Sequence, residues 1–100
     1  MDNRQYKLEL RELLVQALVT DMTDAQKQEM IDSLQAEPDM ARSVERAFTA
    51  MVSTVMFADR EKLLTEVETQ ELAAEICDLM FNELITFGGG VNANDGRVLN

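Results

Sequence analysis

One hundred residues carry 19 acidic and 9 basic side chains and no histidine, giving a net charge of −10 at pH 7. That length sets one domain with a modest core, and that charge opposes direct binding to nucleic acid or to an anionic membrane surface. A hydrophobic fraction of 46% is too high for a disordered acidic tail, four Gly and one Pro are too few for a turn-rich β fold, and the single thiol, Cys77, makes no internal disulfide.

Ala, Leu, Met, Glu and Gln are abundant and favour helix. The expected fold is all-α. It is a small four-helix bundle-like domain with a short second helix over residues 1–90, followed by a flexible polar C-terminal tail at 91–100. Charged residues recur from Asp2 to Glu12, unlike a signal peptide. No apolar run approaches the ~20 residues that span a bilayer. The expected compartment is the cytoplasm.

Helix one is predicted from about Asn3 to Thr20, with Tyr6, Leu10, Leu13, Leu14 and Ala17 as its core stripe. Its charges cancel: Asp2, Glu9 and Glu12 against Arg4, Lys7 and Arg11. Thr23-Asp24-Ala25-Gln26 fits a capping box. The helix that follows, to about Gln35, has a narrow stripe of Met30, Ile31 and Leu34 and reads as peripheral. Glu37-Pro38-Asp39 ends it, and Pro38 suits the first turn of helix three. On helix three, Met40, Val44, Ala47, Phe48, Met51, Val55 and Ala58 share one face, opposite Arg42, Arg46, Thr49, Ser53 and Arg60. Lys62 would fall on the apolar face, so a break belongs near Ala58 to Lys62.

Helix four starts at Asp59 or after a bend near Thr65, where Thr65-Glu66-Val67-Glu68 is a second capping box. Gly88-Gly89-Gly90 is expected to stop it after Phe87. This helix has two apolar stripes where one would do. Leu72, Ala73, Ile76, Met80, Leu84 and Phe87 form the first. Leu63, Val67, Ala74, Phe81 and Ile85 form the second, interleaved with Gln70 and Cys77 at coiled-coil spacing. Glu71, Glu75, Asp78 and Asn82 occupy the remaining face. Helix one repeats the feature with Leu8, Val15 and Val19 off its core stripe. Either helix four is covered by neighbours on both sides, or these residues form an interface. The interface reading is preferred, because four helices with short loops offer few neighbours.

No arrangement supports catalysis. Cys77 and the serines lack a histidine partner, and an acidic surround raises the Cys77 pKa, so packing filler is its expected role. Neither a metal site nor a cofactor site is expected, because histidine is absent and cysteine is single. Asn92-Ala93-Asn94-Asp95-Gly96 is an imperfect match to a calcium loop and reads as a simple turn. The triple glycine follows a helix C-terminus, where the dipole disfavours a phosphate. Helix two, the Glu37-Pro38 turn and helix three could imitate a helix-turn-helix with Arg42 and Arg46 exposed, but the net charge opposes DNA binding. Those two arginines are expected to pair with acids such as Glu45 and Asp39.

The acidic excess sits in residues 21–39 and 63–100. The expected function is therefore a non-catalytic protein-binding module, an inhibitor or regulator of a larger protein with a basic surface. Its expected contacts are acidic (Glu68, Glu71, Glu75, Asp78, Asp21, Asp24, Glu29, Asp32) and apolar (Leu63, Val67, Ala74, Phe81, Ile85, Leu8, Val15, Val19). Size and charge resemble those of inhibitors of nucleic-acid enzymes, immunity-type proteins and DNA mimics, a resemblance of composition that assigns no residue. The spacing of Glu68, Glu71, Glu75 and Asp78, about a helical turn or less, approaches that of phosphates along a strand. The alternative is a self-assembling subunit or assembly factor, such as a homodimer, that buries the spare stripes between copies.

Overall fold

The computed structural model describes residues 3–92. Four α-helices follow one another with no strand among the described residues: α1 Arg4–Val15, α2 Asp24–Ala36, α3 Met40–Ala58 and α4 Glu66–Asn92. The fold is all-α, as the composition implies. A π-helical turn over Gln16–Thr20 extends α1, closed by the Asp21 N–H donating to the Gln16 carbonyl at 2.9 Å.

α4 is the spine and packs on α1, the π turn, α2 and α3, while α2 also touches α3. Its 27 residues reach about 40 Å at 1.5 Å per residue. Side-chain pairs set α1 parallel to it. Asn3 Nδ2 donates to the Leu63 carbonyl (3.0 Å) and Glu68 Oε1 (3.2 Å), Lys7 Nζ lies 3.3 Å from Glu68, and Arg11 Nε lies 2.6 Å from Glu75. The core joins Leu10 and Leu14 of α1, Val19, Met51 and Val55 of α3, and Leu72, Ala73, Ile76 and Cys77 of α4. Val55 and Ile76 are fully buried, each worth about 1.5–3 kcal/mol over exposure.

Both capping boxes form. Thr23 Oγ1 accepts from the Gln26 N–H (3.1 Å) and Gln26 Oε1 from the Thr23 N–H (2.9 Å). Thr65 Oγ1 accepts from the Glu68 N–H (3.1 Å) and Glu68 Oε1 from the Thr65 N–H (2.9 Å). α4 therefore starts after Thr65 rather than at Asp59. The α3–α4 corner is built on Asp59, which is 3% exposed. Its Oδ1 accepts from Tyr6 Oη (2.7 Å) and the Leu63 N–H (3.1 Å), and its Oδ2 from the Leu64 N–H (3.1 Å). Lys62 takes the left-handed conformation (φ 55°) that turns the chain, and its Nζ donates to the Met56 carbonyl at 3.0 Å.

Several expectations are corrected. Pro38 lies outside α3, because Asp39 is its N-cap and accepts from the N–H groups of Ala41 and Arg42. Arg46 pairs with Glu37 at 3.1 Å, not with Glu45 or Asp39. Leu13 (63% exposed) and Ala17 leave the core, and the buried stripe of α1 narrows to Leu10 and Leu14. Met40 and Val44 are exposed, because the slender α2 does not cover that end of α3. Val19 is buried in the cluster that holds Leu14, because it lies in the π turn, whose wider winding departs from the spacing that put it off the core stripe. Glycine does not stop α4, which continues to Asn92. An added Cβ at Gly88 would lie 3.3 Å from Ile31 Cδ1, so this glycine marks close approach of α2. The expected tail beyond Asn92 and its calcium-like turn lie outside the described residues.

Candidate docking surface

At 100° per residue, Val67, Ala74, Phe81 and Ile85 share one face of α4. Val67 (62%) and Ile85 (67%) are well exposed, as is Ala74, whereas Cys77 is buried and Phe81 half-buried against the core. The second stripe is thus open at Val67, Ala74 and Ile85 and covered between the last two, at Cys77 and Phe81. Leu63 is exposed but precedes α4, so the coiled-coil spacing has helical meaning only from Val67 onward. On α1 Leu8 is exposed, Val15 is half-buried against the core, and Val19 belongs to the core, leaving Leu8 as the accessible member of that trio.

The acidic residues divide in the same way. Glu68 is engaged by the Thr65 cap, Asn3 and Lys7, and the Thr65 backbone hydrogen bond, then Asn3, holds its carboxyl below the ordinary range despite partial burial. Glu75 is paired with Arg11. Glu71 and Asp78 are exposed and make no ion pair among the described residues. Asp21 accepts from Gln16 Nε2 (2.7 Å) and Asp32 from Gln28 Nε2 (2.9 Å), while Asp24 and Glu29 face solvent.

The structure adds a groove. No residue of α2 is buried, and Met30, Ile31 and Leu34 are only half-covered where the helix lies on α3 and α4. A cavity of about 360 Å³ opens on one side, lined by Met30, Met51, Cys77 and Met80. Another of about 760 Å³ opens on the other, lined by Ile31, Met40, Val44, Ile85 and Phe87. Leu34 and Phe81 line both, so the two adjoin. Sequence periodicity assigns Met40, Val44 and Ile31 to the core. The one signal against that was the narrowness of the α2 stripe, too small to cover two neighbours.

No family model, curated protein or solved structure matches this chain.

The surface is apolar, acidic at its rim and poor in chemistry. Burial, and secondarily Asp78, pushes the Cys77 thiol up, away from the reactive thiolate. Among the described residues no three His, Cys, Asp or Glu side chains converge to hold a metal, and no helix is long and apolar enough to cross a membrane.

Proposed function

We propose that this protein is a non-catalytic docking module that attaches to a larger protein with a basic surface and regulates it by occupying that surface. One observation carries the reading: on the central helix, Val67, Ala74 and Ile85 stand exposed in line beside the unpaired acids Glu71 and Asp78. Exposed apolar patches rimmed by polar groups mark interaction sites, and acidic flanks steer basic partners. DNA mimicry is the weaker form, because Lys7 and Arg11 already neutralise Glu68 and Glu75. The proposed compartment is the cytosol, where Cys77 stays a thiol.

Self-assembly is the second reading, favoured by α1. Leu8 and Leu13 are exposed on a segment whose charges cancel, so copies could meet there without strong repulsion. The test combines solution mass by light scattering with affinity capture by the wild type and a Val67→Asp/Ile85→Asp variant. The docking reading expects a monomer, and a captured basic protein that is lost with the double variant and at high salt. A stable dimer abolished by Leu8→Asp would replace it with self-assembly. Capture indifferent to the double variant would overturn the α4 face.

A further inference from the structure

Resting on that docking reading, we infer that the groove between α2, α3 and the C-terminal half of α4 seats an amphipathic helix with basic flanks. The length fits. From Phe81 to Gly88 the larger cavity follows α4 for about 10 Å, or two helical turns, the span read by anchors at i, i+3/i+4 and i+7. The lining fits, because apolar walls formed by Val44, Phe81 and Ile85 take the anchors. Met30, Met51 and Met80 are unbranched and adapt to the shape of what enters.

Charge selects the occupant. Among the described residues no Lys or Arg lines either cavity, and Glu29 lines one of them. Gln28, Asp32 and Gln35 recur at i, i+4 and i+7 on α2, and both glutamines line the larger cavity, so Asp32 stands on its rim. Asp78 shares the α4 edge of Phe81 and Ile85 at i+3 and i+7. The neighbouring cation Lys27 is held by Glu83 at 3.2 Å and sits over the Phe87 ring. Arg42 and Arg46 lie on the side of α3 opposite Met40 and Val44. A second copy of a chain with net charge −10 is repelled from such a rim, whereas lysines flanking an apolar helix face are attracted.

The probe is a synthetic amphipathic peptide of about four helical turns, leucines on one face and lysines on the other, with a twin in which glutamates replace the lysines. Fluorescence anisotropy with the full chain reads binding at low and high salt. The lysine peptide is expected to bind, to weaken with salt, and to lose about tenfold or more in affinity with Val44→Asp or Ile85→Asp. Both positions are exposed, and circular dichroism checks that the variants fold. Ser53→Asp, on the far side of α3, is expected to leave binding unchanged. Loss with Val67→Asp but not with Val44→Asp would overturn the groove while leaving the α4 docking face standing. Equal binding of the glutamate twin, indifference to both Val44→Asp and Ile85→Asp, or no binding of either peptide would also overturn it. The capture experiment above still judges the docking reading separately.

Discussion

Replacing Asp59 by Asn probes how the α3–α4 corner is held. Asp59 is nearly inaccessible, and its two oxygens accept from three donors: Tyr6 Oη, Leu63 N–H and Leu64 N–H. Asn keeps the shape but has one acceptor oxygen. With that oxygen toward Tyr6 and Leu63, the amide NH2 meets the Leu64 N–H, donor against donor. Rotated, it meets the Leu63 N–H instead. Either way a backbone donor is orphaned out of water, a loss of about 1–3 kcal/mol. A mid-range value of about 2 kcal/mol lowers the melting midpoint of a domain this size by about 8–16 °C. Burial pushes the Asp59 carboxyl up, but the hydrogen bonds from Tyr6, Leu64 and Leu63 outweigh it, so its folded pKa lies below the ordinary value. A depressed folded pKa gives stability that is present above the unfolded pKa and lost as pH falls through the folded one. The gap between wild type and variant is therefore full near neutral pH and shrinks below about pH 4. Urea unfolding followed by circular dichroism at about pH 7, 5 and 3 reads it. A gap under about 0.5 kcal/mol at neutral pH, or one that persists on acidification, would refute the reasoning.

Ile76→Ala empties the centre of the core and is expected to cost about 2–5 kcal/mol in urea unfolding, because Ile76 is fully buried between the elements α4 joins. Thr23→Ala removes the α2 cap for about 1 kcal/mol. With no buried residue to anchor α2, hydrogen exchange should quicken in α2 while α1, α3 and α4 keep their protection. Gly88→Ala is expected to stabilise by up to about 1 kcal/mol through helix propensity, since the 3.3 Å contact falls on the movable end of Ile31. Destabilisation there would mean that α2 is held more rigidly than its exposure implies.

Local chemistry was legible in the sequence wherever it is carried by neighbours in the chain. Thr23 with Gln26 and Thr65 with Glu68 name their own capping boxes, and the paired stripes of α4 follow from rotation alone. What periodicity does not contain is which face a neighbour covers. Met40, Val44 and Leu13 share spacing with core residues, but α2 is too slender to reach the first two and the third stays exposed among the described residues. The π turn has no marker of its own, and it moves Val19 from the spare face into the core. The glycine run signals a stop by propensity, yet packing against Ile31 suits a glycine within a continuing helix. Of the candidate surface, the α4 face was visible beforehand. The groove required the tertiary placement of α2.

The most direct test of the docking face is photo-crosslinking in the host cell from a reactive side chain at Ala74, in the middle of the exposed α4 face, with Ser53 on the far side of α3 as control. The account predicts a crosslink from Ala74 to a different, basic protein and none from Ser53. A crosslink from Ala74 to a second copy of the chain, or one from Ser53 alone, would contradict it.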